Sequence, residues 1–265
     1  MGGIMEKVVG QNFDDGMAAW QAWQDAPWGK LRYRIAEANL QPHLPQPPAK
    51  ILDLGGGNGL DAVPLAQSGF SLSVMDFSAE MIAQGQQFAE AKGIADKMTF
   101  TVGNAEQLAK HYADPVFDVV LCHNVLQYVQ DVTAVLQSIH NSLKPNGILS
   151  LIITNPHAET FKLALREYDM QGALEQLDKR TKFVELFNTN IQRYTENELI
   201  ELLSSNNFTV EAQYGIRCIC DFMADNERKY DPVFYEKLEA LEMAVRSKRP
   251  YISLANFYHF IGIKK

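Results

Sequence analysis

Long apolar runs are missing from this chain of 265 residues. None approaches the ~18 residues that a membrane-crossing helix needs. The opening stretch, MGGIMEKVVG, lacks the apolar core of a signal peptide. Cysteine is scarce: Cys122, Cys218 and Cys220 are the whole complement. An odd count with no second pair at ligand spacing argues against a disulfide framework and against a zinc site. Buried thiols in a reducing compartment fit better, so a soluble, cytoplasmic protein with no metal is expected. Cys218 and Cys220 together are at most half a zinc site, and alternating strand cysteines are more often core. Positive charge is also short, with 24 Lys and Arg against 32 Asp and Glu and a net charge of −8. No global basic field draws in nucleic acid, and only a local patch could do so.

What is present is a glycine turn. Residues 50–59 read KILDLGGGNG: a short apolar strand, an acid at Asp53, then Gly55, Gly57 and Gly59. Such a turn permits positive φ and lets a ligand approach the backbone closely. The helix that follows aims its first amides into the turn. A dinucleotide fingerprint wants Gly or Ala where Leu60 stands, and a P-loop wants Lys followed by Ser or Thr, also missing here. These departures speak against a nicotinamide oxidoreductase and against phosphate cradling.

Beyond the turn the chain alternates strand and helix. Strands are expected at 51–54, 71–76, 98–102, 117–123 and 147–154, with helices near 58–67, 79–92, 106–111 and 132–143. Repeated units of this kind build a parallel, doubly wound sheet whose ligands lie beyond the carboxyl ends of the strands. Asp76 ends the second strand, about 20 residues past the turn, where an acid can accept from both ribose hydroxyls of a nucleoside. Phe77 beside it could line an adenine. Asn104 and Ala105 end the third strand and His123 the fourth. The alternative for Asp76, capping the next helix, is one that Ser78 can fill.

The ordered set LDLGGGNG, VMDFS, GNAEQL, FDVVLCHNVLQYV and LKPNGILSL resembles class I S-adenosylmethionine (SAM) methyltransferases. That resemblance implies a Rossmann-like α/β fold with seven strands, the last antiparallel, and an EC 2.1.1 activity with S-adenosylhomocysteine as product. It implies that Asp53, Gly55 and Gly57 hold the methionine end of SAM, Asp76 and Phe77 the ribose and adenine, Asn104 and Ala105 the adenine, and that His123 lies at the rim. NFDD at 12–15, GKLR at 29–32, GIR and DF within 215–222, and PYISLANFYHF at 250–260 resemble the bacterial tRNA 5-carboxymethoxyuridine methyltransferases more narrowly. By that likeness Arg32 pairs with the SAM carboxylate, as a cationic fork can. The acceptor would be a carboxylate or another O or N nucleophile, on a small molecule or on tRNA. The alternative is a SAM-binding protein without catalysis.

Four regions follow: an N-terminal helical lid or connector at 1–49, a SAM-binding core at 50–154, a helical cap insertion at 155–194 and a sheet-completing part at 195–265. A homodimer is compatible with this plan. The tryptophans Trp20, Trp23 and Trp28 either pack on the core or cover the site. Lys179, Arg180 and Lys182 form a modest basic cluster in the cap, read as a solvated face before an RNA contact. A carboxylate nucleophile needs no general base. Arg217, Tyr251 and His259 are the candidates beside the acceptor, with a salt bridge to Asp221 the competing role for Arg217 and core packing that for His259.

Overall fold

The computed structural model describes residues 17–185 and 188–265, so the NFDD stretch at 12–15 lies outside the described residues. The strands are β1 Lys50–Leu54, β2 Ser71–Asp76, β3 Met98–Val102, β4 Phe117–His123, β5 Leu143–Thr154, β6 Thr181–Val184, β7 Thr189–Gln192, β8 Phe208–Ile216 and β9 Phe257–Lys264. Seven of them form one sheet in the order β3-β2-β1-β4-β5-β9-β8. β9 runs antiparallel to both of its neighbours, and the other pairings are parallel. The order reverses between β1 and β4, which opens a crevice at their carboxyl ends. β1 and β4 are buried along almost their whole length, as strands covered on both faces must be.

The helices are α1 Met17–Asp25, α2 Pro27–Leu40, α3 Ala62–Gln67, α4 Ala79–Ala91, α5 Leu108–His111, α6 Val132–Ser142, α7 Pro156–Phe161, α8 Met170–Gln176, α9 Glu196–Ser205, α10 Pro232–Val245 and α11 Tyr251–Leu254. α2 starts with proline at its first position, where the missing N–H costs nothing. α9 starts with a capping box between Thr195 and Glu198. α5, α6 and α9 cover one sheet face through Leu108, Leu136 and Leu199. α3 and α4 cover the other through Ala62 and Ile82. α2 and α10 add Leu31, Ile35 and Leu238 against Ile152 and Ile216. The helix expected from 58 starts only at Ala62, because the turn continues through Gly59 at φ +78°.

Two expectations fail. The 155–194 insertion is not wholly helical: after α7, a π-helical turn at Lys162–Arg166 and α8, it forms a β6–β7 antiparallel hairpin. Each hairpin strand has only four residues, too few for alternation to stand out from the charged helical pattern before it. The second concerns α10, whose sequence puts Leu238, Leu241 and Val245 at i, i+3 and i+7 on one expected apolar face. Its buried stripe is Leu238, Glu242 and Val245, while Leu241 is exposed. Glu242 is fully buried because its carboxylate accepts three consecutive backbone N–H groups, from Cys218 at 2.7 Å, Ile219 at 3.0 Å and Cys220 at 2.7 Å. Such a nest suits an anion. Burial nevertheless pushes the Glu242 carboxyl up against those bonds. The two cysteines are inert core, with burial raising each thiol to about 12. Among the described residues no helix is long and apolar enough to cross a membrane.

Removing the Glu242 carboxylate strands three buried amides, each worth about 1–3 kcal/mol when unsatisfied. Glu242→Ala should therefore lose ~3 kcal/mol or more in urea unfolding, and Glu242→Gln, which keeps one acceptor oxygen, clearly less. Equal losses would show that side-chain volume, not the nest, is what matters.

Candidate active site

The glycine turn leaves β1 with Gly55 at φ +68° and Gly57 at φ +56°. A Cβ on Gly55 would lie 2.3 Å from Val125 Cγ2, and one on Gly57 2.8 Å from Met81 Cε. Asp76 ties the turn to the next unit. Its Oδ2 accepts the Gly57 N–H and its Oδ1 the Ser78 N–H, both at 2.9 Å. Ser78 in turn caps α4 by accepting the Met81 N–H.

Asp53 sits directly under the turn: a Cβ on Gly56 would come within 2.4 Å of its Oδ2. It is 1% exposed, and neither carboxylate oxygen has a hydrogen-bond partner. Burial, then repulsion from Asp61, raises its carboxyl well above the usual range, with Arg32 opposing and Asp76 adding to the rise. A buried, unpartnered carboxylate facing a cleft is the complement of a cationic donor.

Arg32 lines the cleft, but its charge is already engaged. Its Nη1 donates to both oxygens of Asp61 at 2.6 Å, and the His123 Nδ1 lies 3.0 Å from Asp61 Oδ2. Against the effect of burial, Arg32 and then His123 hold the Asp61 carboxyl far below its ordinary value. Burial keeps His123 neutral by lowering its pKa. Asp61 was not singled out by the sequence. It stands at the tail of the glycine motif, GNGLD, and nothing in the sequence couples it to an arginine 29 positions earlier.

At the opposite end, Phe77, Asn104 and Ala105 line the cleft. Asn104 Oδ1 accepts the Glu106 N–H at 3.0 Å, which leaves that oxygen a second lone pair. α1 closes a further wall. Trp20 and Trp23 stack at 4.8 Å and both line the cleft, while Trp28 packs in the core with α2 and α10. Gln24 of α1 reaches the glycine turn by a 3.3 Å bond from Asn58 Nδ2 to its Oε1. The cap hairpin supplies Lys182, Asn190 and Gln192. The glycine motif marks none of these walls; for Trp20 and Trp23 the covering alternative is the one their place in the cleft fits, and for Trp28 the packing one. The resulting cleft has a volume of about 1360 Å³, beyond the ~300–1,000 Å³ of a single small-molecule site, so it has room for two ligands.

The three acceptor candidates separate. Arg217 lines the cleft and has the left-handed φ of +58°. Its Nη2 donates to Asp221 at 2.7 Å and its Nη1 to the Trp28 carbonyl at 3.2 Å. The guanidinium lies 5.3 Å from the Trp23 ring centroid and 5.1 Å from that of Phe257. Its Nε is buried without a partner. The Asp221 salt bridge and the cleft position therefore coexist. Tyr251 does not belong to the cleft: it opens α11 on the surface, 38% exposed. His259 does not reach it either. It lies mid-strand in β9, between Ile152 of β5 and Tyr214 of β8, whereas ligands meet strand ends.

A family model described as a methyltransferase domain matches residues 46–237. The chain is 31% identical over 266 residues to the tRNA 5-carboxymethoxyuridine methyltransferase of Escherichia coli K12, covering 96% of each chain. It is 26% identical over 169 residues to the ubiquinone biosynthesis O-methyltransferase of Rickettsia felis, 63% of each. Among solved structures, the Burkholderia thailandensis 1,6-didemethyltoxoflavin-N1-methyltransferase with bound 1,6-didemethyltoxoflavin and S-adenosylhomocysteine shares the fold. Its TM-score is 0.62 at 18% identity, over 98% of this chain and 88% of that one.

His123 and His259 are both held neutral, chiefly by burial, whereas an unfolded histidine titrates near ~6.5. The unfolded chain thus takes up protons that the native state refuses. This contribution to stability is complete above ~6.5 and is lost as pH falls through the lowered native values. Asp53, with its raised pKa, acts in the opposite sense. A His259→Gln variant keeps Asp53, so its urea midpoint should fall less steeply from pH 7.5 to 5 than that of the wild type. Parallel curves would refute the assignment.

Proposed function

The chain belongs to the methyltransferase-domain family of SAM-dependent enzymes, and from that premise we propose that it methylates a carboxylate on a flat, base-like acceptor, as in the 5-carboxymethoxyuridine of a tRNA. The cofactor end supports SAM through its chemistry. Asp53 offers an unpaired buried carboxylate to the ammonium of the methionine part, and Gly55 and Gly57 form a cradle that a Cβ would fill. Asp76 would accept from the ribose hydroxyls, and Phe77, Asn104 and Ala105 would border the adenine. Arg32 would meet the SAM carboxylate while keeping its pair with Asp61, and His123 stands at the rim. When bound, SAM supplies a methyl group on a sulfonium, an electrophile.

The single observation carrying the acceptor reading is the buried Arg217 Nε, unpartnered, in a cleft-lining guanidinium flanked by Trp23 and Phe257. A carboxylate in the cleft can pair with that guanidinium, and the aromatic walls Trp20 and Phe257 suit a planar base. The protein's task is then alignment and exclusion of water, with no proton to remove. On this reading Asp221 and the Trp28 carbonyl keep the guanidinium from turning, and work on tRNA places the enzyme in the cytoplasm.

One observation favours a second reading, a small free carboxylic acid. The basic cluster of the cap is largely compensated, with Arg180 paired to Glu198 and Lys182 to Glu159. Phosphate binding draws on uncompensated cations.

Incubation with methyl-labelled SAM and separate tRNA and small-molecule pools distinguishes the two. Label in tRNA that mild base releases, as it would an ester, supports the first reading; label confined to small acids supports the second. Base-stable label in either pool would overturn carboxylate methylation. Arg217→Met should cut kcat/KM for the acceptor about 100-fold, the ~3 kcal/mol of a charge-assisted bond. SAM affinity should stay within about twofold. An unchanged kcat/KM would remove Arg217 from the acceptor site.

A further inference from the structure

Behind the cleft a polar chain crosses the buried sheet. His123 Nε2 lies 2.8 Å from Ser150 Oγ, and Ser150 Oγ lies 2.8 Å from His259 Nε2. His259 Nδ1 faces Asn39 Nδ2 across a longer 3.4 Å. Asn39, Ser150 and His259 are fully buried, and neither Ser150 nor His259 is among the residues lining the cleft. The chain thus starts in α2, passes through β9, β5 and β4, and ends on Asp61 just before α3.

Proton positions along it follow from chemistry. An ionised Asp61 only accepts, so His123 donates from Nδ1. A neutral imidazole has one N–H, so His123 Nε2 accepts and the Ser150 hydroxyl donates to it. Ser150 Oγ then accepts from His259 Nε2–H. His259, also neutral, presents a bare Nδ1, and the Asn39 amide N–H donates there. All four links point the same way, towards Asp61, and the two histidines are opposite tautomers. The order is self-consistent with no group protonated twice.

We infer that Ser150 and His259 are positioning residues for SAM binding, acting through His123 to hold the Asp61 carboxylate, and with it Arg32, in the cofactor end of the cleft. The chain cannot serve instead as a proton conduit among these groups. Its far end is an amide, which does not release and recapture protons near neutral pH, so the ordering is static. Loss of the Ser150 hydroxyl frees the His123 ring to turn. Asp61 then keeps Arg32 as its one firm donor, and the pair loses its fixed place. The inference rests on SAM binding in the cleft and is indifferent to the acceptor.

The test is calorimetric titration of SAM into the full-length wild type, Ser150→Ala and Ser150→Thr, with imidazole ¹⁵N NMR of the wild type. Ser150→Ala should raise the Kd for SAM about tenfold, equivalent to ~1.4 kcal/mol, with kcat at saturating SAM within about twofold. Ser150→Thr, which keeps a hydroxyl, should stay within about threefold of wild-type affinity. In the wild type the NMR signals should place the proton of His123 on Nδ1 and that of His259 on Nε2, and added SAM should shift the His259 signals although that ring does not line the cleft. A folded Ser150→Ala with wild-type affinity would overturn the inference, since a purely structural serine lowers the melting temperature alone. If that variant does not fold, the wild-type spectra decide: equal tautomers, or His259 signals unmoved by SAM, overturn it as well. Absence of any SAM binding by the wild type would instead strike at the cofactor assignment itself.

Discussion

The buried pair of Arg32 and Asp61 joins two parts of the chain that otherwise have separate reasons to fold. Arg32 belongs to α2, outside the methyltransferase core, and Asp61 stands at the end of the glycine turn, inside it. Their contact at 2.6 Å is 4% and 15% exposed at the two side chains. Removing one member of such a pair leaves a buried charge without compensation, a loss of about 3–5 kcal/mol. The N-terminal helices are therefore held on the core by an interaction that also lines the cleft beside the glycine turn. Packing of Leu31 and Ile35 against Ile152 and Ile216 completes the attachment, but carries no information about where a ligand goes.

Much of the fold was legible because the core obeys local rules. The bounds of β2, β3 and β4 follow from apolar runs ended by Asp76, Gly103 and Asn124, and the helices between them from caps and periodicity. That the motif residues gather along one cleft was legible for the same reason: they sit at strand ends, and topology fixes where strand ends meet. The cleft walls were legible only as open alternatives, a lid or a connector, a cover or core packing. Trp23, Gln24 and the cap hairpin come from segments that the glycine motif does not constrain, and their positions follow from tertiary contacts alone. Glu242 shows the limit most clearly. A leucine one position earlier fits a helical stripe as well in sequence, and only the three amides of the 218–220 nest make a carboxylate the better buried residue.

His259 and Tyr251 illustrate a second limit. Both lie in the closing segment that resembles the tRNA-modifying relatives, yet one is buried mid-strand and the other stands on the surface. A shared motif identifies a stretch; its distance from a strand end decides whether it meets a ligand. Arg217 passes that criterion because it follows directly on β8, at a backbone angle that turns the chain out of the sheet.

The orphaned Asp53 carboxylate has a thermodynamic consequence. Burial and the neighbouring Asp61 and Asp76 favour its protonated form in the empty cleft. An arriving ammonium favours the ionised form. On the proposed cofactor reading, binding therefore lowers the proton affinity of Asp53, and any proton it gives up would make the heat of association depend on the ionisation enthalpy of the buffer. The sign of that coupling is fixed: a cation held at Asp53 would bind no more weakly as pH rises.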